Sequence, residues 1–441
     1  MILSGWGRYP RLDVTVTSPR AEDDLRAALV TGPVIARGNG RAYGDSAINP
    51  RLTLDMRGMN RMLAFDPASG QLTAEAGVTL DAVINSFLPR GWFPMVTPGT
   101  RYVTLGGMIA ADVHGKNHHR DGAFGTCLDW VEVMGPDGIP HRASLTENDD
   151  LFRATLGGMG LTGIITRAAF RLRPVETAWI RQRTIPTPDL DATIEAFETH
   201  ADATYSVAWI DCLTRGAGLG RSVVTLGEHA TRADLPPSMR PAALALPPRR
   251  RLRVPMDAPA FALNRHTVRA FNHLYHRRAT TQAGEAFVGW EEYFYPLDAI
   301  LDWNRIYGRR GFVQYQCVLP PATARAGLRT LIDRIAEAGQ ASFLAVLKRM
   351  GPEGLGQIGF PMEGYTLALD FPASPDALAL LPALDDIVLA HSGRFYLAKD
   401  ARLPATTLHR ADPRLQGFRA AREAAGQARH FASHQSERLG L

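Results

Sequence analysis

Between residues 80 and 88 apolar side chains recur at helical spacing. Leu80, Val83, Ile84, Phe87 and Leu88 share one face, Thr79 stands where a hydroxyl can cap the first turn, and Gly91 stands where the chain can leave the last. The pattern predicts a helix packed on a core. Ahead of it the runs are shorter, at 34–36, 52–56, 62–65 and 72–75, and Asp-Pro-Ala-Ser-Gly at 66–70 reads as a hairpin turn between the last two. Farther on, Thr166, Ala168, Phe170 and Leu172 alternate with Arg167, Ala169, Arg171 and Arg173, the period of a strand with one wet face. Beyond Pro174 longer helical and strand segments take over, among them 190–200 and 323–339, so a domain boundary is expected near 175. The mixture predicts an α+β protein.

Composition narrows the class. A chain of 441 residues is long enough for two or three domains at roughly 100–200 residues each. Cys127, Cys212 and Cys317 are odd in number and lack Cys-x-x-Cys spacing, which argues against a disulfide framework or thiolate zinc and for a reducing compartment. Arg8 and Pro10 interrupt the stretch an export signal would need, and the apolar run 377–390 holds Pro382, Asp385 and Asp386 and falls short of the ~20 residues of a spanning helix. A cytoplasmic protein is expected. Net charge is +5, yet residues 240–278 hold nine arginines against Asp257 alone. Interleaved with Leu244, Leu246, Leu252, Val254, Phe261, Leu263 and Phe271, this segment reads either as a solvated loop or as a contact with an anionic membrane surface. Pro241, Pro247, Pro248, Pro255 and Pro259 favour a mobile loop over a continuous amphipathic helix. No nucleic-acid module is evident, and no nucleic-acid partner is expected.

Three glycine-rich stretches carry the candidate chemistry. Arg37-Gly-Asn-Gly-Arg-Ala-Tyr-Gly-Asp-Ser46 follows a short strand, and such a turn lets main-chain N–H groups converge on a phosphate or pyrophosphate. Its glycines, Gly38, Gly40 and Gly44, miss the dinucleotide fingerprint of a Rossmann fold, and the Lys-Ser/Thr ending of a nucleotide-triphosphate loop is absent. The second stretch, 97–119, sets Thr100, Thr104, Asp112, His114, Lys116, Asn117, His118 and His119 among Gly99, Gly106, Gly107 and Gly115. His114 and His118 are four apart but lack the glutamate and helix of a zinc site, and no metal is expected. The third, 157–163, leads into the alternating strand.

In this order the three loops resemble the FAD-binding domain of the vanillyl-alcohol oxidase and p-cresol methylhydroxylase superfamily. The motifs PGTRYVTLGGMIAADVHGKNHH (98–119), FYPLDAILDWNRIYGRRGFVQYQ (294–316), LKRMG (347–351), LDFP (369–372) and YLAKDAR (396–402) resemble, more narrowly, the decaprenylphosphoryl-β-D-ribose 2′-oxidase family, over nearly the whole chain. The resemblance implies a two-domain α+β flavoprotein: 1–177 as the first part of an FAD-binding domain, 178–393 as a substrate domain with an antiparallel sheet, and 394–441 returning to the first. It implies oxidation of the ribose 2′-hydroxyl of a polyprenyl-phosphate sugar, with a separate NAD(P)H-dependent short-chain reductase completing an epimerisation to arabinose. The alternative is a flavin oxidase of a soluble polyol or sugar lactone.

Residue by residue, the resemblance places FAD on Gly38, Asn39, Gly40, Arg41, Ala42, Tyr43, Gly44, Asp45 and Ser46; on Gly99, Thr104, Leu105, Gly106 and Gly107; on Ala111, Asp112, Val113 and His114; and on Gly163, Ile164, Tyr396 and Lys399. Lys399, His114 and Tyr43 are the implied catalytic residues. Lys399 would stabilise negative charge developing on the flavin, and His114 or a tyrosine would take the hydroxyl proton. Lys348, Gln314, Gln316 and Tyr295 are the implied substrate contacts, Lys348 at the phosphate. Arg41 stands where many superfamily members carry a flavin-linked histidine, so non-covalent FAD is expected.

Overall fold

A computed structural model describes residues 1–247, 251–259, 264–340, 342 and 344–441. The strand Ile164–Pro174 organises the first half of the chain: it pairs antiparallel with Leu128–Met134 on one side and Gln71–Glu75 on the other, and its far end takes on Trp92–Pro94. Met62–Asp66 and Pro140–Ala143 complete the sheet at its edges. The predicted hairpin is the pair Met62–Asp66 and Gln71–Glu75. The predicted helix is Leu80–Phe87, with the Thr79 hydroxyl oxygen accepting from the Ala82 N–H at 3.2 Å, and its apolar face is buried. A small three-stranded sheet, Val16–Thr17, Thr53–Asp55 and Ile35–Arg37, lies upstream.

The second half begins at Trp179 and builds one eight-stranded antiparallel sheet. Its order is Gly284–Gly289, Trp179–Thr187, Ser222–His229, Tyr205–Ile210, Ala345–Met350, Gly364–Pro372, Phe312–Leu319 and Arg394–Phe395. Helices Leu190–Thr199, Pro321–Ala338 and Pro375–Ala390 contact one another and cover one side of it. The second glycine stretch reaches the sheet where His114 meets Gln316. The chain then returns: Phe431 bridges Val34, the Val34 N–H donates to the His430 carbonyl at 2.8 Å, and Phe431 joins a small core with Leu25, Leu54 and Ile164.

The basic segment departs from the mobile-loop reading. Arg265–Thr281 is a 17-residue helix whose Asn264 side chain accepts from the N–H groups of His266 at 2.8 Å and Thr267 at 3.2 Å. The prolines that argued against a helix all precede it, so nothing interrupts the backbone ladder once Asn264 has capped it. Val268 and Asn272 are buried, the latter donating to Asp211 at 2.7 Å, whereas Phe271, Leu274 and Tyr275 are exposed, as are Leu252 and Met256. Pro248, Arg249, Arg250, Phe261 and Leu263 lie outside the described residues.

Candidate active site

Three loops meet because two glycines permit it. A Cβ at Gly38 would lie 2.0 Å from Thr104 Oγ1, and one at Gly44 would lie 2.0 Å from the Asp400 carbonyl oxygen. Only a bare backbone lets the 38–46 loop touch both the 97–114 loop and the 396–402 segment. The Tyr43 N–H donates to the Ala398 carbonyl at 3.0 Å and fixes that contact. Among the described residues the other main-chain N–H groups from Asn39 to Asp45 meet no acceptor within the protein. The buried Arg41 Nε also has no partner, although its guanidinium rests 4.0 Å over the Trp6 ring. At Gly99 an added Cβ would meet nothing within 4 Å. Unpaired donors on a smooth backbone form the cradle a diphosphate requires, and the residues fit FAD in that respect.

Not every residue of the predicted set offers a free donor. The N–H groups of Leu105 and Gly106 donate to Val78 and Ala76 carbonyls at 2.8 Å each, and that of Gly107 to Thr104 Oγ1 at 3.4 Å. The Asp45 carboxylate is bound by Arg438 at 2.9 Å and His434 at 2.6 Å, where it anchors the C-terminal helix His434–Leu439. Asp112, at φ 37°, accepts from the Gly125 N–H at 2.9 Å and turns its carboxylate toward Gly354. Gly163 abuts Val133 and Met134, and Ile164 packs in the small core with Phe431.

The sheet brings the remaining residues together by register. Gln314 stands opposite Asp370, Gln316 opposite Ala368, and Thr366 opposite Lys348, so residues 314, 316, 348, 366, 368 and 370 share one face. Gln314 donates to Asp370 at 2.5 Å, and the Gln316 amide donates to Thr366 Oγ1 at 3.1 Å while lying 3.3 Å from His114 Nε2. Tyr396 donates to the Ala111 carbonyl at 3.0 Å and stacks on Phe360, with the His114 ring beside both. The Lys399 ammonium sits 3.9 Å from the centroid of the Tyr43 ring. Tyr295 is buried in an aromatic group with Trp290 and Phe294, and its hydroxyl faces Thr97.

Burial dominates the electrostatics. It keeps His114 neutral, pushed well below the ordinary histidine range with help from Lys348. It raises Tyr43 well above the phenol range, reinforced by Asp370, so this hydroxyl stays protonated. It pushes Lys399 down to about 7 against the opposing pull of Asp370, and Asp370 up to about 7 against the Gln314 hydrogen bond and Lys399. Two participants had no role predicted from sequence. Asp370 lies within the LDFP motif, and Lys116 lies within the second glycine stretch. A signal for Lys116 was present: of 49 cationic residues only Lys116, Lys348 and Lys399 are lysines, and all three reach this cleft.

A family model described as FAD binding domain matches residues 15–144. Over 450 aligned positions, 100% of this chain and 97% of the relative, the sequence is 36% identical to decaprenylphosphoryl-beta-D-ribose oxidase of Mycolicibacterium smegmatis. The chain belongs to the decaprenylphosphoryl-β-D-ribose oxidase family. An uncharacterized protein in the mprA 5′ region of Streptomyces coelicolor is 35% identical over 82% of this chain and 100% of its own length. Cytokinin dehydrogenase 9 of rice is 30% identical over 34% of this chain and 29% of its own. As a member of the decaprenylphosphoryl-β-D-ribose oxidase family the protein is an FAD-dependent oxidoreductase with the two-part α+β architecture expected from its motifs. Among the described residues no helix is long and apolar enough to cross a membrane.

Proposed function

We propose that the protein oxidises the 2′-hydroxyl of the ribose in a polyprenyl-phosphate-linked sugar to the 2′-keto sugar, the first half of an epimerisation to arabinose. A separate NAD(P)H-dependent short-chain reductase performs the second half. The observation that carries the reading is the 36% identity across the entire chain, which extends through the strands that line the cleft. Residues 1–177 with 394–441 form the cofactor domain and 178–393 the substrate domain.

FAD is held without a covalent bond, on the open N–H groups of residues 39–42, 44 and 45, against the bare Gly99 backbone and beside the 104–107 and 111–114 segments, with Arg41 as a cation rather than an attachment point. Bound there, FAD supplies the hydride acceptor. His114, kept neutral by burial, is the base for the hydroxyl proton, and Gln316, 3.3 Å from its Nε2, orients the ring. Tyr43 remains a donor, since burial and Asp370 both oppose its ionisation. Lys399 holds a positive charge against the Tyr43 ring and Asp370, ready to stabilise negative charge that builds up during turnover. Gln314, Gln316 and Tyr295 position the sugar, and Lys348 meets the phosphate.

The exposed Leu252, Met256, Phe271, Leu274 and Tyr275, set among arginines, support docking on the anionic cytoplasmic face of a membrane, where a lipid-linked substrate resides. The test is an anaerobic titration of the purified holoenzyme with polyprenylphosphoryl-ribose, and separately with xylitol and a sugar lactone, following flavin absorbance. Bleaching by the lipid sugar alone is expected. Bleaching by the soluble compounds alone would replace this reading with a polyol or lactone oxidase.

A further inference from the structure

Lysine is scarce in this chain and confined to one place. Arginine supplies all but three of the 49 cationic residues, and the three lysines are half-buried around one cleft. Lys399 has an acid nearby, Asp370. Lys348 and Lys116 have none: among the described residues neither enters an ion pair. The Lys116 ammonium instead donates to the Tyr293 carbonyl and lies 4.1 Å from the centroid of the Tyr293 ring. Lys348 stands on the sheet opposite Thr366, on the strand Ala345–Met350 that helix His118–Asp121 contacts, and its charge opposes protonation of Lys116, His114 and His118. His118 adds a third donor. Its Nδ1 accepts from the Gly351 N–H at 3.0 Å, which puts the ring proton on Nε2, and that buried atom has no partner in the protein.

We propose that Lys348, Lys116 and the His118 Nε2–H form one phosphate receptor, separate from the Lys399–Asp370 end of the cleft, whose ligand is the phosphodiester of the lipid-linked sugar. This rests on the proposed function for the identity of the ligand. Two cations without a carboxylate, beside a donor without an acceptor, lack both counter-charge and an acceptor, and a phosphate oxyanion supplies both. Lysine rather than arginine has a consequence. Desolvation pushes Lys348 down to about 8, and desolvation with Lys348 pushes Lys116 down to about 7, so the empty receptor sheds protons near neutrality. An anion reverses that balance. The other titratable groups facing the receptor are His114 and His119, both pushed down by burial, the un-ionised Tyr293, and Lys399 with Asp370. Substrate therefore binds with proton uptake.

The measurement is calorimetric binding to the FAD-loaded full chain at pH 8, in phosphate-free buffers of different ionisation enthalpy. The probes are farnesylphosphoryl-2-deoxy-β-D-ribose, which has no 2′-hydroxyl to oxidise and so adds no reaction proton, inorganic phosphate and methyl 2-deoxy-β-D-ribofuranoside. The phosphorylated sugar should bind with uptake of about one proton, and the neutral riboside should bind weakly with none. Lys348→Met should weaken the phosphorylated probe by about tenfold or more and reduce the uptake, and Lys116→Met should do so less. Binding of the phosphorylated sugar without uptake, at an affinity that Lys348→Met leaves unchanged, overturns the proposal. Uptake seen with inorganic phosphate alone overturns the assignment to the substrate. Should the variants fail to fold, lysine-selective ¹³C labelling of the wild type gives three side-chain signals. All three should titrate below the ordinary lysine range, those of Lys348 and Lys116 should move up with the phosphorylated sugar, and ordinary, unmoved titrations of these two would overturn the receptor. If the 2-deoxy probe binds with uptake and farnesylphosphoryl-β-D-ribose never bleaches the flavin, oxidation fails and the receptor stands. Bleaching by the ribose compound, with no uptake on binding of the 2-deoxy probe, leaves oxidation standing and removes the receptor.

Discussion

The cleft and the helix Arg265–Thr281 are both cationic, and they are built from different cations. The helix and its flanks use arginine throughout, on a face that leaves Leu274 64% exposed and Phe271 43% exposed. The cleft uses lysine, half-buried and short of acids. Arginine is always charged and more weakly hydrated, which suits a surface that must stay positive beside apolar groups. Lysine can give up its proton when desolvated, which suits a pocket whose charge must follow its contents. The contrast separates a permanent charge from a conditional one.

Replacing the conditional charge should have the largest effect. Lys399→Met is expected to slow flavin reduction by about 10²–10³-fold, the cost typical of losing one preorganised stabilising group. Stopped-flow absorbance checks it, and a loss below threefold would mean that the charge acts elsewhere. Next comes the joint between the loops. Gly44→Ala drives a methyl into the Asp400 carbonyl and the Ala401 backbone, so about 1–3 kcal/mol of stability should be lost together with FAD occupancy, as read by thermal melting and the flavin-to-protein absorbance ratio. On the permanent side, Phe271→Ser with Leu274→Ser should reduce partition onto anionic liposomes by about tenfold and leave oxidation of a short-chain soluble substrate unchanged.

The smallest effect concerns pH and stability. Lys116 is pushed down to about 7 in the folded chain and titrates near 10.5 when unfolded, so between those values the unfolded state binds more protons. Its destabilising influence is full below about 7 and fades as pH rises toward 10.5. Lys116→Met should therefore raise the melting temperature at pH 6 and have little effect near pH 10. The same rise at both values would show that packing, not charge, is responsible.

Local order is legible in the sequence wherever local rules decide it. The helix Leu80–Phe87 with its Thr79 cap, the hairpin at 66–70 and the strand through Phe170 follow from spacing alone. The helix Arg265–Thr281 is harder to see because prolines crowd the same arginine-rich segment, although all of them precede the cap at Asn264. In the site, the glycine loops announce an anion cradle, but no spacing can show that Leu105 and Gly106 give their N–H groups to Val78 and Ala76. Asp370 stays hidden for a related reason. Its partner Gln314 is 56 residues away, and only the sheet register places them side by side.

The Arg438 guanidinium holds Asp45 in the first glycine loop and Asp400 beside Lys399 at the same time, and Asp45 and Arg438 are 393 residues apart in sequence. During synthesis the first glycine loop leaves the ribosome long before the clamp that secures it. At about 5–20 residues per second the interval is roughly 20–80 s. For that time the first glycine loop lacks the arginine that fastens it, and the clamp closes only once the helix His434–Leu439 has been made.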